Sequence, residues 1–78
     1  MNLYFITRDR DDAGCAFRLF KAYPPVRNER EGIWVSGSST TDTEVRVGKR
    51  ALKKLAIDFD AYTDLTYDND PIRIVITN

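Results

Sequence analysis

Val47–Phe59 constrains this chain more than any other stretch, because it alone reads as an amphipathic helix. Ala51, Leu52, Leu55, Ala56 and Phe59 recur at the three- and four-residue steps that line one side of an α-helix. Arg46, Lys49, Arg50, Lys53 and Lys54 fall on the other side. Like charges at i, i+4 cost roughly 0.2–0.5 kcal/mol per pair, whereas a fully buried Leu or Phe contributes roughly 1.5–3 kcal/mol. Burial of the apolar face must therefore hold the helix. Its start has two readings. Thr41-Asp42-Thr43-Glu44 fits a capping box. The alternation of Thr43, Val45 and Val47 with Glu44 and Arg46 fits a strand that Gly48 ends. The second reading is adopted, which starts the helix near Gly48 and leaves Arg46 just outside it.

Everything around the helix reads as strand or turn. In Met1–Arg8, Leu3 and Phe5 point one way and Tyr4 and Ile6 the other, as in a strand covered on both sides. Asp9-Arg10-Asp11-Asp12-Ala13-Gly14 is a polar turn, and Cys15–Tyr23 returns as the second arm of a hairpin. On that arm Phe17 and Leu19 share the face of Cys15, opposite Arg18 and Phe20. Pro24-Pro25 ends it, since neither residue donates to a ladder. Residues 27–32 read as a charged exposed loop, Ile33-Trp34-Val35 as a short strand, and 36–41 as a flexible Ser/Thr-rich connection. Beyond the helix, Leu65-Thr66-Tyr67 is a candidate short strand and Asp68-Asn69-Asp70-Pro71 a turn. Ile72–Thr77 is the clearest strand, with Ile72, Ile74 and Ile76 set to pack against Leu52, Leu55 and Phe59. The expected architecture is a single α+β domain over residues 1–78. It is a two-layer antiparallel sheet of four to five strands with one amphipathic helix packed on one face.

Charge is balanced, 12 basic residues against 12 acidic, which argues against general affinity for nucleic acid or membrane. It is also segregated. Residues 46–54 carry five cations and no anion, and residues 58–70 carry Asp58, Asp60, Asp64, Asp68 and Asp70 and no cation. Cys15 is the only cysteine, which suits a reducing compartment. No signal-peptide pattern and no apolar stretch of about 20 residues is visible, so the expected location is the cytoplasm, without a membrane partner.

Catalytic chemistry is poorly supplied. The absence of histidine removes the commonest general base and the usual activator of a Ser or Cys nucleophile. Cys15 reads as a small buried strand residue, and the aspartates as solvated turn residues rather than a glycosidase pair. One Cys and no His exclude a zinc site built from them. Asp58-x-Asp60 and Asp68-x-Asp70 have calcium-loop spacing but lack its glycine and distal glutamate; Pro71 stands where the glycine belongs. Ser36-Gly37-Ser38-Ser39 has no following Gly-Lys-Ser/Thr, so it is not a phosphate loop. No cofactor, no metal and no enzymatic activity are expected.

What remains is a surface for a partner. If one helix covers one face of the sheet, Tyr4, Phe20, Trp34 or Tyr67 is left as an exposed anchor of the type enriched at interfaces. The cationic helix and acidic segment would orient a partner. An edge strand would pair with another chain, including a second copy in a homodimer. The candidate partner-binding residues are Lys49, Arg50, Lys53, Lys54, Trp34, Asp64, Asp68 and Asp70. The leading expectation is a small non-catalytic protein that regulates or inhibits a larger macromolecule, most readily another protein, by masking its surface. Phage genomes encode many stand-alone proteins of this size and kind. The alternative is a nucleic-acid-binding domain that uses the basic helix face.

Overall fold

The computed structural model describes residues 2–10, 16–37 and 43–76. Residues 1, 11–15, 38–42 and 77–78 lie outside this set, and with them Met1 of the expected first strand, the rest of the first turn, Cys15, most of the Ser/Thr connection, Thr41 and Asp42 of the capping box, and Thr77. The fold is α+β. Strands β1 (Asn2–Thr7), β2 (Phe17–Lys21), β5 (Thr43–Val47) and β6 (Ile72–Ile76) form an antiparallel sheet in the order β5-β2-β1-β6. Strands β3 (Val26–Asn28) and β4 (Ile33–Val35) form a second, two-stranded sheet. One helix, α1 (Lys49–Lys54), follows β5.

The register explains why both faces of β1 and β2 are apolar. Ile6 lies opposite Leu19 and Ile72, and Phe17 opposite Val47. Ile6, Phe17, Leu19 and Val47 are buried with Leu52, Ile57 and Leu65, and Ile74, Ile76, Leu55 and Phe59 pack around them. The rings of Phe17 and Phe59 meet edge to face at 5.2 Å. Ile74 and Ile76 thus reach the core that Leu52 and Phe59 share, as the spacing predicts, while Ile72 stays 36% exposed at the sheet edge. On the opposite face Phe5 pairs with Phe20, and there a second core forms from Phe20, Trp34 and Tyr67. The side expected to lie open is therefore partly covered by the small sheet, which meets it through Trp34.

Three expectations need correction. The helix ends at Lys54, not Phe59. Ile57 N–H bonds Leu52 C=O (2.9 Å) and Ala56 N–H bonds Lys53 C=O (3.0 Å), the paired bonds of a Schellman ending, with Ala56 at φ 61° where glycine is usual. The alanine carries none of the glycine signal that marks such a stop. The chain then turns into a short 3-10 helix, Phe59–Tyr62, capped by Asp58, which accepts from Asp60 N–H at 3.0 Å.

Residues 27–32 are not simply a loop: residues 26–28 form β3. The β3–β4 turn is closed by Gly32 at φ 70°, whose N–H bonds Asn28 C=O at 2.8 Å. Leu65–Tyr67 is not a strand; Leu65 and Tyr67 are buried as anchors, one in each core.

Candidate functional site

The polar chemistry of this fold gathers where β1 leaves the sheet. Thr7, Arg8 and Asp9 are all buried, at 1%, 7% and 6% exposure. Asp9 therefore does not belong to a solvated turn, whereas Arg10 is exposed in a turn as the sequence suggests. Asp9 is held by Arg18 of β2, whose Nε donates to Oδ1 and Oδ2 (3.1 and 2.9 Å) and whose Nη2 donates to Oδ2 (2.5 Å). The backbone N–H of Trp34 donates to Asp9 Oδ1 at 3.2 Å. One carboxylate thus ties the end of the first hairpin to the second sheet. A carboxylate that accepts a fork of guanidinium bonds and a backbone N–H is well compensated for burial.

Arg8 is on the other face of the chain from Asp9. Its guanidinium carbon lies 4.1 Å from the centre of the Phe17 ring, a cation–π contact. Its Nε and Nη2 are buried without a hydrogen-bond partner, as is the hydroxyl of Tyr67. Arg10 stacks its guanidinium 4.8 Å from the Tyr67 ring. Arg8, Arg10, Thr63, Asp64, Thr66 and Tyr67, with Asp9, line a depression of about 390 Å³. Nothing in the sequence spacing signals it, because it joins two segments more than fifty positions apart.

The cationic helix residues lie where the periodicity puts them: Lys49, Arg50, Lys53 and Lys54 are all exposed. The acidic residues that follow are not remote from them. Lys49 Nζ is 3.9 Å from Asp60 Oδ1, and Lys49, Lys53 and Asp58 border one shallow hollow with Ile57 and Phe59. The two charge blocks are separate in sequence but touch in space, which lowers the positive potential of the helix.

Asp64 lines the Arg8 depression, and Asp68 and Asp70 are exposed. Arg27 of β3 reaches across to this segment. Its Nη2 donates to Asp68 C=O at 2.7 Å and its Nε to Tyr67 C=O at 3.4 Å, and Nη2 lies 3.8 Å from Asp70 Oδ1. Its guanidinium carbon also lies over the rings of Trp34 (4.8 Å) and Tyr67 (5.8 Å).

Trp34 itself is 3% exposed. It is not an accessible anchor, and neither is Phe20 at 0% or Tyr67 at 6%; Tyr4 is half-buried in the first core. The expectation failed because the short sheet brings Trp34 onto Phe20 and Tyr67, and Tyr4 faces the first core. That sheet was hidden behind Pro24-Pro25 and a charged run.

The exposed large apolar residues among those described are Tyr23, Val26, Ile72 and Val75. Ile72 and Val75 belong to β6, an outer strand of the main sheet. Val75 lies opposite Leu3, which belongs to neither buried core. Among the described residues no group of three or more acidic, Cys or His side chains is placed to hold a metal ion. No helix there is long and apolar enough to cross a membrane. No protein family, curated protein or solved structure matches the chain.

Proposed function

We propose that this chain is a non-catalytic binding protein that docks on a larger protein through the β6 edge of its sheet, and regulates or inhibits that protein by masking its surface. The observation that carries the reading is the character of β6. Its sequence, Ile72-Arg73-Ile74-Val75-Ile76, holds one charge among four β-branched apolar residues, and it stands at the sheet edge with Ile72 and Val75 exposed. Edge strands are normally blunted by charges, bulges or a covering element, because their free backbone groups invite another strand. Here Pro71 limits pairing only at the start. An added strand would gain main-chain hydrogen bonds from β6 and apolar contact with Val75 and Leu3.

The test is capture from lysate of the native host, with and without nuclease, by the wild type and by an Ile72→Lys/Val75→Lys double variant. Both positions are exposed, so the variant should fold. The reading expects a stoichiometric protein that withstands nuclease and is lost, at least tenfold, with the variant. Equal capture by both proteins would eliminate the β6 edge.

A second reading rests on the exposure of Lys49, Arg50, Lys53 and Lys54 along a single helix. It makes the chain a nucleic-acid binder whose capture disappears with nuclease and whose affinity falls steeply with salt. The contact of Lys49 with Asp60 and the neighbouring Asp58 weigh against it. The single cysteine fits a cytoplasmic setting for either reading.

A further inference from the structure

We infer that the depression at the end of β1 is a carboxylate-binding site, with the fork of Arg8 as its main contact. The inference is independent of the β6 reading. It starts from a contrast between Arg8, just past the end of β1, and Arg18 on β2. Arg18 grips Asp9 through Nε and Nη2. Those two N–H groups lie on one side of the planar guanidinium and match the two oxygens of a carboxylate. In Arg8 the same two atoms are buried and have no hydrogen-bond partner. The contact with Phe17 engages the face of the guanidinium, not the in-plane N–H groups. A guanidinium taken out of water with that edge vacant is strongly unfavourable, and an oxyanion is the chemistry that repairs it.

The surroundings select the kind of oxyanion. Arg8 and Arg10 bring two positive charges to the depression. Asp9 is neutralised by Arg18, Asp64 contributes one negative charge, and Glu29 lies 3.9 Å from Arg10 at the exposed rim. The balance favours a single negative charge, a carboxylate, over a phosphate dianion. Tyr67, whose buried hydroxyl has no hydrogen-bond partner, lines the same depression and offers a second donor. A volume of about 390 Å³ admits the carboxylate together with several carbons, either of a small acid or of a peptide end. Because Arg8 Nε and Nη2 are shielded from solvent, binding requires a local rearrangement that opens them to the depression.

The experiment follows the arginine Nε–H resonances by ¹H–¹⁵N NMR, with Arg8 assigned from the signal missing in Arg8→Lys. Sodium acetate is titrated at ionic strength held constant with sodium chloride, then sodium phosphate, then a short peptide with a free C-terminus and its C-terminal amide. The expected result is a saturable shift of the Arg8 Nε–H with acetate. Arg8→Lys should weaken acetate binding roughly tenfold or more, and Tyr67→Phe by a smaller factor. Tighter binding of the free-acid peptide than of acetate, lost in the amide, assigns the carboxylate to a chain terminus; equal binding assigns it to a small acid. An Arg8 signal that moves with none of these, or no more than with chloride, overturns the site. Tighter saturation by phosphate than by acetate overturns the carboxylate assignment. Should Arg8→Lys fail to fold, the Arg8 Nε–H is assigned by through-bond correlation to its backbone in the wild type, and the wild-type titration with Tyr67→Phe decides the matter.

Discussion

Asp9 and Arg18 close a three-bond fork across the first hairpin, and the same Asp9 oxygen that meets Arg18 Nε also accepts the Trp34 N–H from the second sheet. The side chains are 7% and 17% exposed, so the pair is nearly out of water. Asp9→Ala should therefore destabilise the fold by about 3–5 kcal/mol, because it removes the buried carboxylate that both the Arg18 fork and the Trp34 N–H meet. The double variant with Arg18→Met should lose less than the two single variants summed, because the bonds of the pair are lost only once. Urea unfolding of the two single variants and the double variant reads the coupling directly; additive losses would contradict it.

Ala56 ends the helix in the left-handed region, a conformation that strains any residue with a Cβ. Ala56→Gly relieves this at an exposed position without touching the core. The expected gain is about 1 kcal/mol, which in a domain of this size raises Tm by roughly 4–8 °C. Thermal melting by circular dichroism measures it.

Gly37 approaches the chain so closely that a Cβ there would lie 2.4 Å from the Pro24 carbonyl oxygen. Backbone cannot step aside as a side chain does, so Gly37→Ala should lower stability by about 2 kcal/mol or more. Gly32→Ala meets a softer obstacle, the Arg10 side chain with its Cβ at 3.1 Å, but must also hold φ at 70°. It should cost about 1–2 kcal/mol. Denaturation midpoints rank the two; Gly37→Ala at wild-type stability would show that the close approach is not maintained.

Arg27 pins the segment around Tyr67 to the small sheet through two carbonyls and two aromatic rings. Arg27→Ala should cost about 1–3 kcal/mol and shift the emission of Trp34, the sole tryptophan, to longer wavelength as water reaches it. Asp70→Asn should change neither stability nor emission, since Asp70 is 95% exposed and its contact with Arg27 is long, at 3.8 Å.

The parts of the fold legible in the sequence are those governed by local pattern. The strands expected over Cys15–Tyr23, Thr43–Val47 and Ile72–Thr77 form over Phe17–Lys21, Thr43–Val47 and Ile72–Ile76, and the polar run after Arg8 separates two arms that pair as a hairpin. The four cations of α1 are exposed, as helical spacing requires. What the pattern obscured was local chemistry that runs against type. An alanine stands where glycine would announce the helix end, and a strand of Val26-Arg27-Asn28 follows two prolines and carries a charge at its centre.

By itself the sequence determined the strand and helix periodicities, the antiparallel α+β class, and the chemistries denied to a chain with one cysteine and no histidine. Those follow from which side chains recur at which step, and from which functional groups exist at all. Only the tertiary structure decided which aromatics are covered, which carboxylate meets which arginine, and that Arg8 is buried with an empty fork. Burial and pairing depend on segments far apart in the chain: Asp9 finds Trp34 twenty-five positions away, and Arg27 reaches Tyr67 across forty. No local spacing encodes contacts of that separation. They arise when the core closes and each buried polar group either finds a partner or is left without one.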